Sequence, residues 1–596
     1  MSKFIGLTGA KIIKEKLVEY GVKNITAYSG GAIMGLLDEF HSTKNDNINY
    51  YVHTHEQNCG HASTGYAKSS GKLGVSIVTS GPGLTNMLTP MLDSTNDSTS
   101  LMVISGQVPT ESIGSLAFQE CPAVELSKNV TKFSYQFKSV EDIPYILDKA
   151  YYLAMNGKRG SVHLDVPKNV LNEIYTKEMF DKNKVFDEKI YKNVRKNFFM
   201  NKYKDCTDKK YLNEIFEIIK KSKRPILYLG QGSKGLEKEI EKLLIISNLP
   251  VTTTIHGLGI IDQKIGNSLK WLGMHGYAPA NLAVYYSDCI ICVGARFDDR
   301  TTGNINKYGK YAKNIIHVNI EESEIRKNVN SNYNVVCSTG KFIEEMYNKF
   351  NLCDLNSHMS YKEWWYQIEE WKDKYPFKYN EDDKIKTPDI IKEINRNLND
   401  NKDYIFTTGV GNHQMQTAQY IDWSYNKKFL SSGSLGVMGV GIPYGIGAKI
   451  ANPDKEVIVI DGDSSALMTL TDLKTVKENN IGIKIFILNN ESQGMVEVWE
   501  KLFFEGRITA TKNKRNPSFY EVGKSFGINS YYCDDKEYLA DTIEIVLMEE
   551  GPVLCEIKCE NEICLPLVKP GSGLNDMLLY GYEEGEINFD DQNCPS

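Results

Sequence analysis

Short apolar runs recur along the chain: "VSIVTSGPG", "LMVISGQ", "RPILYLGQG", "DCIICVGARF", "NIIHVNI", "EVIVIDGDS" and "IKIFILNN". Several close in Gly-rich or Asp/Asn-containing turns, and stretches with helical patterning separate them. This alternation predicts an α/β protein of doubly wound parallel sheets, whose ligand sites lie at the carboxyl ends of the strands. No apolar run approaches the ~18–20 residues that a membrane-spanning helix needs.

Two polar segments interrupt the pattern, from Lys182 to Lys210 and from about Asn351 to Lys386. Read as linkers, they divide the chain into blocks of 1–185, 186–360 and 375–596. Three domains also suit a length of 596 residues, at about 150–200 residues each. The segment after Leu579 is acidic and is expected to be mobile in part.

A formal net charge of −7 argues against a general nucleic-acid binder, which shows a basic face. Twelve irregularly spaced cysteines form no compact disulfide framework, so reduced thiols in a cytoplasmic protein are expected. Cys289 and Cys292 share one strand-like run, where alternation sends their thiols to opposite faces in a buried structural role. The opening "MSKFIGLTGAKIIKEKL" has neither an apolar signal core nor an Arg/Ser-rich presequence, in keeping with a cytoplasmic location.

Candidate chemistry gathers at two places. The stretch "HTHEQNCGH", His53 to His61, packs three histidines, a glutamate and a cysteine together. A zinc helix of the H-E-x-x-H type needs a second imidazole four positions on, but Cys59 stands there after His55, and His61 comes later. By itself the stretch fits a metal site or a catalytic carboxylate. The second place is Ile460-Asp-Gly-Asp-Ser-Ser, followed by "IKIFILNN" ending at Asn490. Asp463 and Asn490 each close an apolar strand, 27 positions apart. They offer oxygen ligands to Mg²⁺, which usually keeps a phosphate in its shell, beside a helix start that favours anions.

A Gly-Asp and a later Asn-Asn at such strand ends resemble the thiamine diphosphate motif. The likeness runs far beyond it. "TSGPGLTN", "GQVPTESIGSLAFQE", "LGMHGYAPANLAV", "VGARFDDRTTGNI", "SGSLGVMGVGIPYGIGAKIA", "MTLTDLKT" and "LNNESQGMVEVWEKLFFEGR" resemble the acetohydroxyacid synthase family, over about residues 6–576. The resemblance implies thiamine diphosphate and Mg²⁺ bound between two subunits, so a homodimer or a tetramer. The third block of one subunit would hold the diphosphate, and the first block of the other the aminopyrimidine. A small regulatory subunit is a candidate further partner.

Carried onto this chain, the metal ligands are Asp463, Asn490 and the backbone carbonyl of Ser492, with Gly462, Ser464, Ser465, Gly494 and Met495 around the diphosphate. "TTGVGNHQM" adds Gly409, Val410, Asn412 and His413, where Asn412 is one methylene shorter than the family's glutamine. Gly436 and Met438 match positions that grip the aminopyrimidine. Met438 also matches the wedge that bends the cofactor, and Met468 maps nearby. Glu56 matches the carboxyl that shares a proton with the pyrimidine, work that suits a desolvated acid. His55, Cys59 and His61 then become packing and hydrogen-bonding support.

Gly31 lies in "YSGGA", where Ser29 replaces the family's proline, and Phe118, Gln119 and Lys168 match residues of the active site and substrate channel. Arg300 matches the guanidinium that holds an acceptor carboxylate, and Trp499 the tryptophan that shapes the acceptor pocket. The implied reaction decarboxylates pyruvate and ligates the two-carbon unit to a second pyruvate, giving 2-acetolactate, or to 2-oxobutyrate, giving 2-aceto-2-hydroxybutyrate. That step opens branched-chain amino-acid synthesis.

The resemblance also implies FAD in the middle block, without a net redox role. Its contacts would be Gly230 and Gly232 in "LGQG", Gly273, Met274 and His275 in "LGMHG", and Gly294, Arg296 and Asp299 in "GARFDDR". Asn319 and Ile320 follow the "IIHV" strand, and Lys158 and Arg159 lie in "GKRGS". Three departures touch this site: "GKRGS" stands for the family's "GRPGP", Asn319 for an aspartate, and Ser338-Thr339 for Gly-Asp. The rival readings are an FAD-free catabolic acetolactate synthase, another thiamine-dependent 2-oxo acid decarboxylase or oxidase, and an inactive regulatory paralogue.

Overall fold

The structure is a computed structural model that describes residues 2–44, 47–182, 185–189, 203–353 and 361–582. Much of the first polar segment and nearly all of the acidic tail lie outside the described residues. The apolar runs become strands, most of them buried on both faces, as parallel sheets covered by helices require.

The first sheet holds β1 (Asn24–Ala27), β2 (Asn49–Val52), β3 (Gly74–Val78), β4 (Leu101–Gln107), β5 (Phe133–Gln136) and β6 (Ser161–Pro167), in the order β2-β1-β3-β4-β6-β5. The second holds β7 (Pro225–Leu229), β8 (Val251–Thr253), β9 (Ser268–Trp271), β10 (Cys289–Val293), β11 (Asn314–Asn319) and β12 (Tyr333–Val336), in the order β9-β8-β7-β10-β11-β12. The third holds β13 (Tyr404–Thr408), β14 (Lys427–Leu430), β15 (Glu456–Gly462), β16 (Ile483–Asn489), β17 (Asn529–Cys533) and β18 (Val553–Lys558), in the order β14-β13-β15-β16-β18-β17. Pairing within all three sheets is parallel. The third sheet repeats the order of the first. The middle sheet has the order that seats dinucleotides where it reverses, here between β7 and β10.

The outer domains of one chain meet through two helices, Glu56–Ser70 and Gly441–Ala451. The approach is backbone to backbone: a Cβ on Gly447 would stand 1.8 Å from the Ala62 carbonyl oxygen, and one on Gly65 2.5 Å from the Tyr444 Cα. Beside this seam Lys68 Nζ donates to Asp97 Oδ2 and to the Ser431 carbonyl, both at 2.6 Å.

Two expectations are corrected. The second polar segment is not a simple linker: helix Lys362–Lys374 buries Trp364, Ile368 and Trp371 in the middle-domain core. Their i, i+4, i+7 spacing makes an apolar stripe on an otherwise polar helix. Nor are all thiols reduced, since Cys206 is joined to Cys337, with Cα atoms 6.2 Å apart across 131 positions. A parallel bridge between Lys204 and Val335 brings the two cysteines together, which irregular spacing along the chain cannot reveal. Cys289 and Cys292 lie buried in β10. Among the described residues no helix is long and apolar enough to cross a membrane.

Candidate active site

In the third sheet the strand order reverses between β13 and β15, which opens a crevice at their carboxyl ends. β13 runs into Gly409, Val410 and Gly411, and helix Asn412–Tyr420 starts there. β15 ends at Gly462, where the short helix Asp463–Ala466 starts. β16 leads to Asn490 and then to helix Gly494–Phe503. A cleft of about 50 Å³ lies between these ends, lined by Val410, Asn412, His413, Gly462, Asp463, Ser464, Ser465, Asn490, Ser492 and Gly494.

The crevice depends on bare backbone. A Cβ on Gly409 would stand 2.1 Å from both Asp461 Oδ1 and Ser465 Oγ. Gly411 adopts φ 154° immediately before its helix. Three buried polar atoms here have no hydrogen-bond partner among the described residues: Asn412 Oδ1, His413 Nε2 and Asp461 Oδ2. His413 Nε2 lies 3.3 Å from Asp461 Oδ1, short of an aligned bond. Orphaned polar atoms beside helix starts at glycine-lined strand ends fit a diphosphate and its cation.

Asp463 is buried, and burial pushes its carboxyl above the usual carboxylate range. Its Oδ2 accepts from Asn513 Nδ2 at 2.9 Å and from Asn516 Nδ2 at 2.7 Å. Asn490 Oδ1 accepts from the Ser492 amide at 3.1 Å. Asn561 joins the set, its Oδ1 accepting from Asn412 Nδ2 at 3.0 Å while its Nδ2 donates to the Gly494 carbonyl at 3.1 Å. With Ser492 turned into the same cleft, the donors are hard oxygens, which suits Mg²⁺. Sequence reading missed Asn513, Asn516 and Asn561, which lie in polar loops without periodicity. Asp461 was visible in "IDGDS", but its neighbour Asp463 drew the assignment.

A second cavity, of about 1490 Å³, exceeds a common small-molecule pocket. It shares Val410, Met438 and Met495 with the cleft, so the two spaces adjoin across a common wall. From there it passes Gly436, Trp499 and Arg300 and runs over the carboxyl ends of the middle sheet. Gly232, Met274, His275, Gly294, Arg296, Asp299, Asn319 and Ile320 line it, as do Lys158 and Arg159 of the first domain. Gly230 and Gly273 lie outside its lining. Arg300 is exposed, and its Nη1 is 3.1 Å from Met274 Sδ. His275 is held by the Cys564 and Pro566 carbonyls through Nδ1, at 3.0 and 3.2 Å. Asn319 spends its amide on the Ala295 carbonyl and its oxygen on the Glu321 amide, each at 3.0 Å.

The catalytic candidates of the first domain stand apart from both spaces. Glu56 opens helix Glu56–Ser70, largely buried, and its Oε2 accepts from Asn86 Nδ2 at 2.9 Å. His53, three positions earlier, pairs through Nδ1 with Asp472 Oδ2 of the third domain at 2.8 Å. His55 caps the helix, with its Nδ1 accepting from the Gln57 amide at 3.1 Å. Cys59 and His61 are buried in that helix, with Gln57 Nε2 and His61 Nε2 3.3 Å apart. Gly31 and Lys168 are exposed, Phe118 is 89% exposed and Leu116 94%. Gln119 takes φ 61° where it packs against Gly81. Met468 is 60% exposed on the third domain. None of Glu56, Gly31, Phe118, Gln119 and Lys168 lines the cleft or the cavity of its own chain.

This architecture and cleft define a thiamine pyrophosphate enzyme. The family's three domain models match in order: the N-terminal TPP binding domain at residues 7–126, the central domain at 212–346 and the C-terminal TPP binding domain at 409–557. Within that class the chain belongs to the acetolactate synthase catalytic subunits. It is 38% identical to the mitochondrial acetolactate synthase catalytic subunit of Saccharomyces cerevisiae, over 98% of this chain and 85% of that protein. It is 35% identical to the chloroplastic acetolactate synthase of Arabidopsis thaliana, over 98% and 85%. It is also 35% identical to the acetolactate synthase large subunit of Buchnera aphidicola, over 96% and 98%.

Proposed function

We propose that the chain is a carboligase that joins a two-carbon unit from pyruvate to a second 2-oxo acid, pyruvate or 2-oxobutyrate, at the entry to branched-chain amino-acid synthesis. The observation that carries this reading is that the oxygen-lined cleft shares a wall with a cavity lined by Arg300 and Trp499. A decarboxylase needs room for one substrate. A carboligase also needs a place for an acceptor, and a guanidinium beside an indole suits a 2-oxo acid, gripping the carboxylate and covering the apolar end.

Thiamine diphosphate, when bound, supplies a carbon nucleophile and an electron sink for decarboxylation. The chain's residues hold and orient. Asp463, Asn490 and the Ser492 carbonyl would hold Mg²⁺ against the diphosphate, with Asn513 and Asn516 aiming the carboxylate. His413, Gly411 and the start of helix Asn412–Tyr420 would meet phosphate oxygens. Glu56 would hold a proton at the aminopyrimidine, and Met438 would support the two rings. Trp499, Met495 and Phe118 would exclude water, and Gln119 and Lys168 would flank the substrate path.

We infer a homodimer, because Glu56 and its neighbours must be supplied to the cleft by a second copy. The exposed Leu116 and Phe118 of the first domain and Met468 of the third support such an interface. FAD across the middle sheet is part of the same reading, supported by the strand order and by the cavity over the β7/β10 crevice. Purified protein given pyruvate, Mg²⁺ and thiamine diphosphate should form acetolactate, and Glu56→Gln should abolish it. Acetaldehyde as the sole product would favour a simple decarboxylase. Bound flavin should show in the visible spectrum.

A further inference from the structure

One end of the large cavity is cationic, and one of its lysines, Lys234, is not among the flavin contacts carried over from the family. β7 continues into Gly230-Gln231-Gly232-Ser233-Lys234-Gly235, at the reversal between β7 and β10. The two turns touch there: the Gly232 amide donates to the Gly294 carbonyl at 2.9 Å, and a Cβ on Gly232 would stand 3.0 Å from Gly294 Cα. Glycine therefore keeps the floor of the crevice low, and Lys234 lines the cavity next to it.

The neighbouring cations are already engaged. Lys158 Nζ donates to Glu324 Oε1 at 2.6 Å, and Arg159 Nη1 to the Gly71 carbonyl at 2.9 Å. Lys68 is held by Asp97 and the Ser431 carbonyl, and Lys428 Nζ donates to the Ser69 carbonyl at 3.1 Å. The Lys234 amide donates to the Gln231 carbonyl at 3.1 Å, but its ammonium has no hydrogen bond or ion pair among the described residues. The nearby carboxylates have other partners: Glu237 accepts from the Gly235 amide, and Asp97 also accepts from the Gly433 and Ser434 amides. Burial, with Lys68 and Lys428 close by, pushes the Lys234 ammonium down to about 7. Lys234 is half-buried, and an ammonium without a counter-ion of its own beside two other lysines is a ready partner for an anion.

We propose that Lys234 is the diphosphate ligand of a dinucleotide seated across the β7/β10 crevice, where the resemblance places an FAD contact at Lys158 or Arg159 instead. The identity of that dinucleotide as FAD rests on the flavin reading above; the anion site itself rests on the unpaired lysine, the glycine turns and the strand order.

The test titrates the full-length chain with FAD and riboflavin by flavin fluorescence, and with ADP by calorimetry. Lys234→Met should weaken FAD and ADP about tenfold or more, the size of one charge-assisted contact, and leave riboflavin unchanged. Lys234→Arg should recover most of that loss, and Lys158→Met should change FAD by less than about threefold. Unchanged FAD and ADP binding in Lys234→Met overturns the proposal, even in a chain that is a flavoprotein. A wild type that binds ADP through Lys234 but not FAD keeps the anion site and removes the flavin reading. Melting temperatures without ligand confirm that each variant is folded, and Lys234→Gln replaces the methionine variant if that one is not.

Discussion

Asp463 is a buried carboxylate with two side-chain amides on one oxygen, from Asn513 and Asn516. Amides aim a carboxylate without neutralising it, which leaves Asp463 able to take the cation proposed for this site. Asn516→Ala should weaken Mg²⁺ and thiamine diphosphate binding about tenfold, the worth of one hydrogen bond to a charged group. A titration of the apo protein reads this, and an unchanged affinity would remove the aiming role. A different carboxyl tests the electrostatics of the fold. Asp165 is buried among Ser105 Oγ, Gln107 Nε2 and Gln136 Nε2 at 2.6–3.1 Å, and burial pushes it up to about 6. Its folded pKa lies above its unfolded one, so its contribution is full below about 4 and is lost as pH rises towards 6. The melting temperature of wild type minus that of Asp165→Asn should therefore fall from pH 4 to pH 6 and level off above. At this scale the sequence was legible where a residue closes a strand, as Asp463 and Asn490 do. It was opaque for Asn513, Asn516 and Asn561, whose roles exist only once loops are folded over the strand ends.

At the scale of elements, unbroken Val/Ile/Leu runs marked nearly every central strand, because burial on both faces removes the polar alternation that would blur them. Helix Lys362–Lys374 was less legible, since charged residues fill the positions between Trp364, Ile368 and Trp371. Trp364 donates its indole N–H to the Pro225 carbonyl at 3.1 Å as well as filling the core. Trp364→Ala should cost about 3–5 kcal/mol, seen as early melting of the middle domain. The seam between helices Glu56–Ser70 and Gly441–Ala451 depends on Gly447. Gly447→Ala would drive a methyl group onto the Ala62 carbonyl and should cost about 1–3 kcal/mol, read as a lower melting temperature. No change would mean that the helices can slide apart freely.

For the whole molecule, the repeat of one strand order in the outer domains was not visible, because topology is set by which strands pair and not by local pattern. That repeat places two crevices in each chain, one with Glu56 nearby and the other with Asp463, and Glu56 does not line the cleft at Asp463. Under the proposed shared-site reading, a working site needs two copies, each giving its first domain to the other's third. The most direct measurement mixes two inactive proteins, Glu56→Gln and Asp463→Asn, under conditions that allow subunits to exchange. Half the randomly formed dimers are hybrids, and each hybrid has one site with both residues intact, so acetolactate formation should recover to about a quarter of the wild-type rate. If mixing restores nothing while exchange is demonstrated, Glu56 and Asp463 serve within one chain, and the shared-site account is wrong.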